Sequence, residues 1–216
     1  MSNENGVEKQ SFMKRKDIEI SGKRYLQDAM SAMAMGLFGS LLIGVILDTL
    51  GVQTANLFGD NAFSDYCILI GGFAKQMMGP AIGVAVADAL KAPPLVLYTS
   101  VVTGFMGATM TGFGIDMNGG PAGAFIAVAI GAEFGKVVSK ETKLDIIVSP
   151  ATTLVMGGLA AKFIGPAIGW LLVKFGDLIM LATEWQPFVF GIVVAVLVGL
   201  ALTAPISSAA ICIMMN

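Results

Sequence analysis

Residues Gly71 to Gly83 read GGFAKQMMGPAIG, and residues Gly157 to Gly169 read GGLAAKFIGPAIG. Eight of the thirteen positions are identical, and both copies lie inside long apolar runs. Gly-Gly and Gly-Pro pairs within one hydrophobic stretch suit a soluble core poorly, because proline removes a backbone donor and glycine loosens a helix. In a membrane such breaks survive where protein or a water-lined cavity re-satisfies the freed backbone groups. Two broken spans at corresponding places therefore point to the working centre of a transporter. The competing explanation is that Gly/Ala-rich membrane segments look alike because small residues recur at helix contacts.

The composition agrees with a membrane setting. Hydrophobic residues make up 56% of the chain and charged residues 13%, with a mean hydropathy of +0.80. That is the profile of an all-α, polytopic transmembrane protein, here of about six to seven spans with Gly-Pro-broken helices. The chain has no histidine, which removes the commonest neutral-pH proton shuttle, the commonest metal ligand and any phosphohistidine. Cys67 and Cys212 stand far apart in or beside apolar runs and read as buried, inert thiols. No catalytic triad, metal site or cofactor motif follows, so the chain reads as a non-enzyme with no cofactor. Basic residues are not interleaved with aromatics outside the N-terminal tail, which argues against nucleic acid as a partner.

Residues 1–28 form a polar tail of mixed charge, and residues 29–216 the transmembrane part. Basic residues just before the first apolar run place the N-terminus in the cytoplasm. The first span is expected from Ala29 to Leu47, followed by an external segment from Asp48 to Asp65. Tyr66 to Leu90 forms the second run, Pro94 to Phe113 the third and Ala122 to Val138 the fourth. These four return the charged loop around Lys136 to Asp145 to the side of the N-terminus. Beyond it, Ile146 to Val173 is either one long broken span or a span to Lys162 followed by an amphipathic connector. Phe188 to Met215 carries no charge and stops without a polar flank, which reads as a C-terminally clipped chain. On this count the two GPAIG copies run in opposite directions, as inverted repeats do.

A lysine deep in an apolar run costs roughly 2.5–3.5 kcal/mol on insertion scales, so Lys75 calls for a cavity, a partner or an interface. Lys162 lies one position past the equivalent place in the second copy. A cation beside the Gly79-Pro80 break suits an anionic or hydroxyl-rich solute, with snorkelling to the interface the alternative. Asp88 with Lys91, and Glu133 with Lys136, read as i,i+3 pairs at a membrane interface. Gly123, Ala127, Gly131 and Gly135 form a small-residue seam, expected to pack a helix pair and part of a homodimer.

Five segments in order resemble one family. They are Met78-Gly-Pro-Ala-Ile-Gly-Val-Ala-Val-Ala-Asp88, Ala92-Pro-Pro-Leu95, Gly119-Gly-Pro-Ala-Gly-Ala-Phe-Ile-Ala-Val-Ala-Ile-Gly131, Lys143 to Gly157, and Ile164-Gly-Pro-Ala-Ile-Gly169. Together they resemble the membrane permease subunit IIC of the bacterial sugar phosphotransferase system (PTS), nearest its fructose-type and perfringolysin-regulator-like branches. The resemblance covers about Tyr25 to the end. It implies a multi-pass plasma-membrane protein, a sugar-like solute, separate IIA and IIB partner proteins and a homodimer. The family's G-G-P-V-N-K-A-A motif is matched by Thr203-Ala-Pro-Ile-Ser-Ser-Ala-Ala210. Thr203, Pro205, Ser207 and Ser208 therefore join Lys75, Gly79 and Pro80 as expected substrate-binding residues. Serines stand where the family has Asn and Lys, which alters how a sugar is held.

Three functions compete at this point. The first is a permease subunit that binds and moves a polar solute phosphorylated by partner proteins. The second is a membrane regulator or sensor that kept the scaffold without transport. A non-PTS secondary transporter rests on the inverted repeat and on Lys75 and Asp88.

Overall fold

A computed structural model describes residues 12–112, 117–141 and 143–185, together with Gly191 and Val196. Seven helices follow one another in the described residues. Helix α1 runs without a gap through Lys23–Phe58, and α2 (Ala62–Gln76) and α3 (Met78–Ala89) form a pair. They lead to α4 (Pro94–Thr109), α5 (Gly120–Val138), α6 (Asp145–Phe163) and α7 (Gly165–Trp185).

Local chemistry sets the ends. Asn61 caps α2 by accepting from the Phe63 and Ser64 amides at 3.0 Å, while Ser64 Oγ accepts from the Asn61 amide at 3.1 Å. This reciprocal box satisfies amides that a helix start leaves unpaired. Pro94 opens α4 at a position where no N–H is needed. Helix α3 ends in a Schellman turn: the Ala92 amide reaches the Ala87 carbonyl and the Lys91 amide that of Asp88, with Lys91 at φ 56°.

Helix α1 is longer than the Ala29–Leu47 span read from sequence. Nothing between Leu47 and Phe58 breaks a helix, so Asp48 lies within it rather than at the start of a loop. Two π-helical segments, Lys23–Ala29 and Phe38–Leu42, widen it. Ser40 Oγ donates to the Gly36 carbonyl at 2.8 Å beside the second, a bond that competes with the backbone ladder. Helices α2 and α3 meet at a bend of 47°. The break falls at Met77, and Pro80 sits in the first turn of α3, where proline is tolerated. In the second copy, α6 and α7 follow one another through Gly165-Pro166 as one apolar stretch, Asp145–Asp177, long enough for a broken span.

The three segments Lys23–Phe58, Gly120–Val138 and Asp145–Asp177 are long and apolar enough to cross a membrane, and the bent pair makes a fourth. Helix α4, with 16 residues, covers about 24 Å and falls short of the ~30 Å hydrocarbon core. The final apolar run counted toward six to seven spans lies outside the described residues.

The packing is that of a membrane protein, with small residues inward and large ones outward. Phe58 is 81% exposed and Leu57 75%, whereas the helix contacts are made by glycine. A Cβ on Gly44 would lie 2.9 Å from the Gly71 carbonyl oxygen, one on Gly79 2.7 Å from that of Gly104, and one on Gly107 2.5 Å from that of Gly123. Backbones approach this closely only where no side chain intervenes. The aliphatic core of Met33, Leu37, Ile82, Val86, Val96 and Val128 ties α1, α3, α4 and α5 together. The seam Gly123, Ala127, Gly131, Gly135 is consumed within the chain. Its neighbours are Gly107, Thr103, Thr153, Gly157 and Val96, so it is a helix contact and not a free dimer surface.

Candidate functional site

Helix α3 starts at the bend and ends at the charged face of the bundle, about 18 Å away along its axis. At its start lies a cavity of about 500 Å³. Lys75 and Gln76 close α2 on one wall, Met78 and Gly79 open α3, Thr109 ends α4, and Asn118 and Pro121 precede and open α5, with Val173 of α7 opposite. Pro80 has no N–H to offer the Gln76 carbonyl four residues back.

The polar groups are mixed donors and acceptors. The Gln76 and Asn118 amides offer both. The Thr109 hydroxyl donates to the Phe105 carbonyl at 2.7 Å, leaving its oxygen to accept. The Lys75 ammonium is not free: it donates to Asp48 Oδ2 of α1 at 2.8 Å, and both side chains are about one-third exposed. Gly44 provides the room, since the aliphatic stem of Lys75 lies where a Cβ on Gly44 would be. A neutralised lysine with two amides and a hydroxyl suits a hydroxyl-rich neutral solute better than an anion.

The second repeat supports the same place from behind. Gly165 approaches Gly107 and Gly119, and a Cβ on Gly169 would collide with the Asn118 carbonyl. The two GPAIG copies thus converge on the α4–α5 link. They also run in opposite directions relative to the charged face. Helix α3 ends there, at the Leu90 carbonyl that Lys136 contacts, and α6 begins there, with the Asp145 carboxylate on the Lys140 amide.

Of the residues expected from sequence, Lys75 and Gly79 line the cavity, while Pro80 shapes it from the first turn of α3 without lining it. Thr203, Pro205, Ser207 and Ser208 lie outside the described residues. Lys162 is exposed and does not line the cavity, so the symmetry of one cation per break does not hold. Gln76, Thr109, Asn118 and Asp48 were missed. Asn118, in the turn Met117-Asn-Gly-Gly, is an amide in a link between two apolar runs, and Gln76 lies inside the repeat itself. The ion pairs also differ from expectation. Lys91 turns to Asp17 at 3.7 Å rather than to Asp88. Glu133 and Lys136 do pair, at 2.9 Å, yet Lys136 is 1% exposed and the pair is buried in protein rather than set at an interface.

The family model described as "Phosphotransferase system, EIIC" matches residues 27–216. The chain belongs to the phosphotransferase system EIIC family. EIIC membership makes it a permease-type membrane subunit of the bacterial plasma membrane, a transport component and not by itself an enzyme. A sugar as solute and separate IIA and IIB proteins as partners are what the EIIC family implies. No curated protein and no solved structure matches the chain.

Proposed function

We propose that this EIIC-family subunit binds an unphosphorylated, hydroxyl-rich sugar or polyol in the cavity beside Gly79 and carries it across the membrane. Phosphorylation would be done by the separate IIA and IIB proteins, since the chain has no histidine to accept a phosphoryl group. The observation that carries the reading is the placement of Gln76, Thr109 and Asn118 around a helix break, roughly 18 Å in from the charged face. A cavity between broken helices near mid-depth is where transporters of many folds hold their solute. Ser207 and Ser208 remain part of the proposed site. So does the homodimer, on a surface other than the Gly123–Gly135 seam.

Calorimetric titration of the full chain with a panel of hexoses and hexitols tests this. At least one is expected to bind, and Gln76→Ala and Asn118→Ala each to weaken it about two- to twelvefold, as loss of one hydrogen bond to the solute predicts. Binding by no member of the panel, or binding indifferent to both substitutions, would overturn the assignment.

The serines at 207 and 208, in place of the family's Asn and Lys, favour a second reading. In it the subunit is a sensor of the fructose-type or regulator-like branch that binds its sugar without translocating it. Uptake of the bound sugar into vesicles carrying the protein and its partners separates the two.

A further inference from the structure

At the charged end of the bundle a second cavity, of about 480 Å³, is enclosed by the N-terminal segment, the α3–α4 link and the end of α5. Five cations, Arg15, Lys16, Lys91, Lys136 and Lys140, face two carboxylates there, Asp17 and Glu141. The next charges out are Arg24 on Asp17, Glu133 on Lys136, Glu19 on Arg24 at 3.7 Å and Asp145 on the Lys140 amide, which reduce the positive excess without reversing it. Both carboxylates are already engaged. Glu141 lies 2.7 Å from Arg15 and 2.6 Å from Lys16, and Asp17 is held by both guanidinium nitrogens of Arg24 at 3.1 Å. Lys91 reaches Asp17 only at 3.7 Å and is 73% exposed. Lys140 is in no ion pair among the described residues.

Left-handed turns shape the backbone around the cavity. Asp17, Lys91 and Lys140 are the non-glycine residues with positive φ among those described, at 51°, 56° and 62°, and all three line it. Lys91 follows the end of α3 and Lys140 the end of α5, so these turns bring both lysines to the cavity. Across the buried Lys136–Glu133 pair lies an apolar groove of about 420 Å³ between Ile18, Ile20 and Tyr25 on one side and α5 on the other. Ile126, Ile130 and Phe134 line it at successive turns, so it runs along α5 from the charged end into the apolar depth.

We propose that the basic cavity and this groove together hold one anionic phospholipid, its phosphate on Lys91, Lys140 and Arg15 and an acyl chain along α5. The positive excess at the charged end of the bundle selects the headgroup, and the groove accepts a chain that a soluble phosphate ester lacks.

Native mass spectrometry of the delipidated full chain, titrated with phosphatidylglycerol or phosphatidylcholine of equal acyl length, tests it. Phosphatidylglycerol is expected to bind at least about tenfold more tightly. Each surface lysine contributes about a fivefold factor, so Lys91→Gly with Lys140→Gly should weaken it about thirtyfold. Glycine takes positive φ without strain, so this double variant removes charge while relaxing the fold. Arg15→Gln, at a side chain 64% exposed, is an independent charge removal expected to weaken binding about fivefold. Ala129→Phe, which fills the groove, should weaken phosphatidylglycerol binding as well. Equal binding of the two lipids, or a preference that none of the charge removals moves, overturns the proposal. Competition by inorganic phosphate, with indifference to Ala129→Phe, overturns the lipid and leaves a soluble-anion site.

Discussion

Lys136 shows what one residue can hold. Its ammonium donates to the Leu90 carbonyl at 2.9 Å and the Asp17 carbonyl at 3.0 Å, and lies 2.9 Å from Glu133 Oε1. That last contact lacks hydrogen-bond geometry, so both Glu133 oxygens are buried without a hydrogen-bond partner and depend on the neighbouring charge. Arg24 donates to the same Leu90 carbonyl at 2.8 Å. Two cations thus sit at the C-terminal end of α3, where the helix dipole favours them. Lys136→Met is expected to lower stability by about 3–5 kcal/mol, because it strands a buried carboxylate. Lys136→Met with Glu133→Gln should recover much of that loss, which thermal denaturation in detergent will show. Equal losses for the single and double variants would mean that the hydrogen bonds to Leu90 and Asp17 matter more than the pair. Asp17 gives a pH signature. Its hydrogen bonds from Arg24 hold its carboxyl below the usual carboxylate range, against a smaller opposing effect of burial. A depressed pKa stabilises the fold in full above the unfolded value, and the gain is lost as pH falls through the folded value. Asp17→Asn should therefore melt below the wild type at neutral pH, with the gap closing as the pH drops beneath the carboxylate range. A gap that persists in acid would assign the effect to packing.

Among the elements, glycine spacing decides which helices touch. Gly107 faces Gly123 and Ala124 so closely that a Cβ would meet backbone atoms at 2.5 and 2.7 Å, and neither can move aside alone. Gly107→Ala is expected to cost about 1–3 kcal/mol by forcing α4 and α5 apart. Gly72, in the middle of α2, has nothing within 4 Å of an added Cβ, so Gly72→Ala should be neutral or stabilise by up to about 1 kcal/mol. Melting temperatures of the two variants in one detergent compare them, and a loss in both would remove close packing as the cause. The sequence shows both glycines inside apolar runs and does not tell them apart. Only the neighbour across the helix contact does.

For the whole molecule, the N-terminal segment and the end of α5 meet directly through Glu141 with Arg15 and Lys16. They therefore lie on one side of the membrane, which requires α4 to return the chain across it although its 16 residues fall short of the hydrocarbon core. By the positive-inside rule, the excess of basic residues predicts the cytoplasm for that side. In a background with Cys67 and Cys212 replaced, an impermeant thiol reagent outside intact cells should label Asp60→Cys and spare Lys143→Cys. The opposite pattern would invert the molecule, and with it the face at which partner proteins and the anionic lipid are proposed.

What the sequence determined by itself was the class of protein and the places where its helices break. Composition, the paired GPAIG runs and proline's missing N–H act locally, so they can be read without a fold. The ordered motifs named the family for the same reason, since each is a short contiguous string. The tertiary structure decided the partners. Asp48 looked like the start of a loop because its lysine is 27 residues away, and Asn118 carried no sign of a site until Gly169 and Gly79 brought both repeats around it. The Gly123–Gly135 seam read equally well as a dimer face until α4 and α6 filled it. Each of these is a contact across helices. Its energy depends on which backbone lies within a few ångströms, and a pattern along a single helix carries no record of that.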